Sequence, residues 1–435
     1  MNAITRSTPL GRMESLLSGA FASGESRIFL PELDQEILNL TFRSRAHEIL
    51  PREDEHIRRQ PAFLALLRDY LTRNTASNEH LFHNLQTPDR DIRENNEFSY
   101  PVLKPSRPEK TEGMILLLHG LNERSWDKYL PWASRLAEST GKAVVLFPLA
   151  FHMNRAPETW SLLRPMMGVS RERKALLPDL EGSSFANAAI SYRMQFAPQR
   201  FILSGLQTFM DLLQLMRRIR KGEHPGIAPG AVPDIFAYSI GATLAEVLLM
   251  TNPHGYFSHS RAFLFCGGPA LDLATPVNRG IIDNHGFSVL VGFFHDLVDG
   301  RSPEMGKLEE ILEDNSLLYF KSLLIHGKME KIRDNRLNEI RDRLYSLTLE
   351  QDRVMTPLAV RKTLDREEAG ITGICETLDY PGTYTHENPF GQGASPKPAK
   401  TSAGTGTSGT APSREDELRE EAFDQVFRRA ADFLA

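Results

Sequence analysis

The chain predicts an α/β architecture: a doubly wound, mostly parallel sheet covered by helices on both faces. Two observations lead there. Uninterrupted apolar runs, MILLLHG at 114–120, AVVLFPL at 143–149 and RAFLFCGG at 261–268, alternate with amphipathic stretches. Strands without polar alternation are buried on both sides, as in a parallel sheet wrapped by helices. The second observation is VPDIFAYSIGATLAEVLLM at 232–250, an apolar run that passes through Ser239 straight into a helix-like stretch. With 435 residues, 41% of them hydrophobic, the chain can bury one large core with additions.

Residues 1–97 read as a mainly helical N-terminal extension. Within it, PAFLALLRDYL at 61–71 sets apolar residues at 63, 66, 67, 70 and 71 on one helix face behind Pro61, while PREDEHIRR at 51–59 reads as solvated surface. FSYPVLKP, from Phe98, reads as an edge strand because Pro101 has no N–H to give a neighbour. The strand at 114–120 runs into a loop, and LPWASRLAEST at 130–140 forms the next helix. After the strand at 143–149 comes a polar, proline-containing stretch to about residue 198. LSGLQTFMDLLQLMRRIRKG then gives an amphipathic helix, with apolar residues at 206, 209, 210, 213 and 216 and Gly222 to end it.

Past the sixth strand, at 261–268, the alternation stops. Residues 270–340 read as a helical insertion, either a lid over a site or extra core packing. LYSLTLEQD at 344–352 is a strand, PLAVRKTL a helix, and ITGICETL at 371–378 the last strand, so the main domain spans 98–390. Residues 391–413 hold no aromatic and no aliphatic side chain larger than alanine, which predicts a disordered linker. Ser413 can cap a final helix, 414–435, whose apolar stripe at 423, 426, 427, 430, 433 and 434 predicts docking onto the main domain.

The 51 basic and 56 acidic residues leave a net charge of −5, and no basic segment suggests nucleic acid. The N-terminus lacks a signal-peptide core and no stretch is long and apolar enough to span a membrane, so a cytoplasmic location is expected. Cys266 and Cys375 sit in apolar runs and read as buried thiols. No metal-binding spacing and no phosphate-binding glycine loop occurs, and no cofactor is expected.

The chemistry centres on Ser239. A serine between Ala237-Tyr238 and Ile240-Gly241, at a strand-to-helix corner, must take strained backbone angles that lift its hydroxyl out of the fold. A serine nucleophile needs a base, and the base needs an acid to hold its tautomer. In parallel sheets such groups lie past the C-terminal ends of strands. Asp352 follows the strand at 344–352, and His386 follows the last strand in YPGTYTHENPF. Rival acids are Asp272, Asp296 and Asp299, and rival bases are His285, His295 and His326 in the insertion.

Serine, acid and histidine in that chain order, each just past a strand, resemble the α/β-hydrolase superfamily. The resemblance spans roughly 98–390 and the final helix; the elbow is A-x-S-x-G where G-x-S-x-G is usual. It implies the α/β-hydrolase fold with a catalytic triad of Ser239, Asp352 and His386. In that superfamily the strand before the first sheet helix ends in His-Gly, matched here by His119-Gly120, which implies an oxyanion hole made by the backbone N–H groups of Leu121 and Ile240. His119 is then structural. Asn122, Arg124, Tyr238, His152 and Arg155 are candidate pocket residues near the same rim. The activity implied is that of a serine hydrolase cleaving a small-molecule ester or thioester. The alternatives are a non-catalytic binding or scaffold protein, or a peptidase or acyltransferase using the same triad.

Overall fold

The computed structural model describes residues 8–50, 85–302, 308, 312, 315–391 and 413–435. Among them, nine strands form one sheet: β1 (Arg27–Leu30), β2 (Gln35–Arg43), β3 (Glu97–Pro105), β4 (Thr111–Leu118), β5 (Ala143–Leu146), β6 (Ile227–Tyr238), β7 (Ala262–Phe265), β8 (Leu344–Leu349) and β9 (Cys375–Leu378). Their order is β1-β2-β3-β5-β4-β6-β7-β8-β9. From β5 across to β9 every pairing is parallel, while β3, β2 and β1 continue the sheet antiparallel. After β4 the chain moves to β5 on one side and returns to β6 on the other. Loops leaving β4 and β6 therefore diverge and open a crevice at their C-terminal ends, where ligands bind in open α/β sheets.

Two expectations about the N-terminal part need correction. Residues 27–43 are strands of the main sheet, so the sheet starts well before residue 98. Their pattern hides this because Gln35 and Glu36 are buried polar residues where apolar ones would advertise a strand. Each is satisfied across the fold: Gln35 Nε2 donates to Ser134 O at 2.9 Å, and Lys104 Nζ to Glu36 Oε1 at 2.8 Å. As a result β3 is not an edge strand, since it lies between β2 and β5. Pro101 is tolerated there because the β3–β5 ladder covers only Val102 and Leu103.

Side chains of the central strands alternate between two cores. Met114, Leu116, Leu118, Ile235, Ala237 and Leu264 face one, beneath helices Arg200–Arg220 and Ile240–Thr251. Ile115, Leu117, Phe236, Tyr238, Phe263 and Phe265 face the other, beneath helices Tyr129–Thr140 and Arg414–Leu434. The last helix begins at a Ser413–Asp416 capping box and stacks Phe427 on Phe236 at 5.5 Å between ring centroids. Between β7 and β8 run helices Asn284–Val298, Ser316–Ser322 and Glu330–Ile340. Leu290, Phe293, Phe320 and Leu337 from these helices join the first core.

The stretch read as polar, before residue 198, contains helices Leu163–Leu176 and Ala188–Phe196. Two of its arginines are spent inside the fold. Arg173 and Asp283 meet at 2.6 Å with both side chains fully buried, and Arg193 pairs with Asp89. Of the two cysteines, Cys266 is buried and Cys375 half-buried, and both thiols are free. The helix expected at 61–71 and the linker at 392–412 lie outside the described residues. No described helix is long and apolar enough to cross a membrane.

Candidate active site

Ser239 joins β6 to the helix Ile240–Thr251 with φ 56° and ψ −124°, angles that L-residues rarely adopt. The corner is held by main chain. Ser239 N–H donates to Phe265 O at 3.1 Å, and Ser239 O accepts from Ala242 N–H at 3.0 Å. It is also crowded by main chain. A Cβ on Gly241 would lie 2.6 Å from Leu118 O, and one on Gly267 would lie 2.5 Å from Ser239 O. Only glycine fits at either position. Gly241 was legible in the sequence; the requirement at Gly267 was not, because it arises from β7, a neighbour in space alone.

The loops after β8 and β9 bring the other two groups to this corner. His386 Nε2 lies 2.8 Å from Ser239 Oγ, and His386 Nδ1 lies 2.7 Å from Asp352 Oδ2. All three side chains are almost wholly buried. The second carboxylate oxygen, Oδ1, accepts the N–H groups of Val354 at 2.8 Å and Met355 at 2.9 Å, which fixes its orientation. The hydrogen bond of Asp352 to Nδ1 sets the tautomer, leaving Nε2 as the acceptor that faces the serine hydroxyl. None of the rivals reaches Ser239. Asp272 accepts His326 N–H at 2.7 Å, Asp296 and Asp299 bind Arg301, and His285 Nε2 meets Asp179 at 3.0 Å.

The loop after β4 crosses the front of the serine. His119 is enclosed, and burial above all holds it far below its usual pKa, so it is neutral. Leu149 N–H donates to its Nε2 at 2.9 Å, which leaves the proton on Nδ1 to bind Gly120 O at 2.8 Å. Gly120 N–H in turn donates to Tyr129 Oη at 3.1 Å, and Tyr129 Oη donates to Glu123 Oε1 at 2.8 Å. Leu121 N–H carries no hydrogen bond among the described residues. Ile240 N–H opens a helix, where the first N–H groups have no intrahelical acceptor.

The candidate pocket residues divide. Arg124 and His152 line a cavity beside Leu121. Burial pulls Arg124 down to about 10 and His152 to about 4, so at neutral pH the first is cationic and the second uncharged. Asn122 lines the same cavity, but its amide braces the loop by donating to Ala186 O at 2.9 Å and Gly280 O at 2.7 Å. Tyr238 is not a pocket residue. Strand alternation sends it to the opposite face from Ala237, under His386, where its ring stacks at 5.3 Å and its hydroxyl donates to His386 O. Sequence reasoning missed this support for the histidine.

Arg155 is also removed from the pocket. It is fully enclosed, bound to Asp211 Oδ2 at 2.8 Å, Asn95 Oδ1 at 3.1 Å and Pro148 O at 3.0 Å. Arg155→Met would strand the Asp211 carboxylate, and breaking such a buried pair costs about 3–5 kcal/mol. Urea titration should show that loss, while folded variant keeps the substrate KM of the parent. An unchanged midpoint with a raised KM would return Arg155 to the pocket.

A family model described as a family of unknown function, DUF6051, matches residues 12–435. The chain belongs to that family. Among curated proteins, none matches it in sequence. Solved structures that resemble it include a thermostable esterase from Pseudomonas putida ECU1011, at 11% identity and TM-score 0.40, covering 100% of this chain and 93% of that one. Carboxyl esterase 2 from the mycorrhizal fungus Tuber melanosporum is similar at 10% identity and TM-score 0.41, covering 78% and 82%. A bacterial heroin esterase is similar at 14% and 0.37, covering 78% and 80%. Likeness at this level assigns no activity to this family member.

Proposed function

We propose that this chain is a serine hydrolase of the α/β-hydrolase type that cleaves an ester or thioester through an acyl-enzyme on Ser239. The observation that carries the reading is the unbroken chain of contacts Ser239 Oγ–His386 Nε2–Asp352 Oδ2, at 2.8 and 2.7 Å, on a serine with φ 56°. Ser239 Oγ attacks the acyl carbon as its proton passes to His386 Nε2, and Asp352 stabilises the imidazolium. The negative oxygen of the tetrahedral adduct is held by the N–H groups of Leu121 and Ile240. Its collapse breaks the bond to the leaving oxygen or sulfur, which takes the proton from Nε2. Water then gives a proton to His386 Nε2 as it adds to the acyl carbon, and collapse of this second adduct breaks the bond to Ser239 Oγ, which recovers the proton from Nε2 as the carboxylic acid leaves. The helical segment between β7 and β8 is read as an insertion that walls the acyl side of the site.

A fluorophosphonate probe tests this reading, because only an activated serine displaces its fluoride. Intact-mass analysis should show one adduct on the parent and none on Ser239→Ala. A folded parent that takes up no probe would instead point to a binding protein that keeps this architecture without turnover.

A further inference from the structure

Two cavities of unlike chemistry share a wall at Leu121 and Phe201, and the first of them holds the serine. One is lined by Ser239 and Ile240 and is otherwise walled by apolar side chains, among them Ile281, Phe287, Leu290 and Phe294. Apart from Ser239, no residue lining it carries a polar side chain. A group placed there gains from leaving water only if it is itself apolar. The other cavity shares Leu121 and Phe201 with the first as a common wall. Its lining includes Arg124, Arg193 and Arg200 against a single carboxylate, Asp89.

The three arginines are not equivalent. Arg193 and Arg200 both pair with Asp89. Among the described residues Arg124 meets only neutral acceptors: Nη2 donates to Asn122 Oδ1 at 2.9 Å, and Nη1 reaches Ser161 Oγ at 3.4 Å. A guanidinium beside a cavity, held by its neighbours and forming no ion pair among the described residues, is a preorganised site for an anion. His152 in the same wall is uncharged and adds no competing charge. Leu121 stands between the cavities, so a substrate whose carbonyl oxygen met Leu121 N–H would have its acyl chain on one side and its leaving group on the other.

On this basis, and resting on the hydrolase reading above, we infer that the substrate joins an apolar acyl group to a leaving group bearing a carboxylate or phosphate, which Arg124 binds. The apolar cavity selects the acyl chain, and the arginine selects the partner it is cut from.

Two isosteric esters separate this role from bracing of the loop: para-hexanoyloxybenzoate, anionic at neutral pH, and para-hexanoyloxybenzamide, its neutral twin. Calorimetry on Ser239→Ala, which binds without cutting, should find the benzoate bound about tenfold tighter, the value of one charge-assisted contact. Adding Arg124→Met should abolish the difference, and adding Arg124→Lys should keep part of it. Equal affinity for the twins overturns the inference, as does a preference that survives Arg124→Met. If Arg124 only braces the loop, its removal weakens both twins alike, which also overturns it. A preference that depends on Arg124, in a protein whose parent cuts neither ester, would sink the hydrolase reading and leave the anion site standing.

Discussion

If the proposed reading holds, Ser239→Ala should lower kcat on an ester substrate by on the order of 10⁶-fold, His386→Ala should do nearly the same, and the double variant should be no slower than either. The reason is that serine and histidine act as one unit: without the base the hydroxyl is a weak nucleophile, and without the hydroxyl the base has nothing to activate. What remains is the contribution of the N–H groups of Leu121 and Ile240 and of substrate binding. The stability of Ser239→Ala should barely move. Ser239→Ala removes one side-chain hydrogen bond, to His386 at 2.8 Å, worth about 1 kcal/mol. Thermal melting of both variants and initial rates on a short-chain activated ester check the pair of claims. A double variant a further thousandfold slower than the singles would mean that the two groups act independently, and the proposed unit would fail. Substantial activity in Ser239→Ala would remove the serine from the chemistry altogether.

The residues that meet in this site were legible because each follows a strand, and strand ends in a parallel sheet converge. Ser239, Asp352 and His386 were singled out by that rule together with the chain order of the superfamily they resemble, and the structure brings them within hydrogen-bond distance. What the sequence concealed has a common physical cause. Buried charge reads as surface when its partner is far away in the chain. Arg173 and Asp283, Arg155 and Asp211, and Glu36 and Lys104 each look solvent-facing alone, and each pair is enclosed. The two N-terminal strands were hidden for that reason, and Arg155, a candidate for the pocket, is enclosed against Asp211 instead. Tyr238 was misplaced differently. It neighbours Ser239 in sequence, but a strand turns successive side chains to opposite faces, so adjacency to a site residue argued against the pocket.

The elbow itself can be tested without touching any group that reacts. Gly241→Ala should destabilise the protein and damage catalysis more than stability. In an exposed helix the change from glycine to alanine stabilises by about 1 kcal/mol. Here the new methyl group would sit 2.6 Å from Leu118 O and 2.9 Å from His119 O, and neither is a flexible side chain that can step aside. Overpacking against fixed atoms costs about 1–3 kcal/mol, enough to reverse the sign. Relief comes by moving the helix start away from the end of β4. That shift separates Ile240 N–H from Leu121 N–H, which lies just past His119 and Gly120. A displacement of about 1 Å between catalytic groups can cost 10²-fold in rate. Gly292 supplies the internal comparison: it lies on helix Asn284–Val298, and a methyl group added there would meet nothing within 4 Å. Gly292→Ala should raise the melting temperature slightly and leave kcat alone. If Gly241→Ala behaved like Gly292→Ala, the helix would not approach β4 as closely as the strained serine requires, and the oxyanion hole assigned to Leu121 and Ile240 would lose its geometric basis.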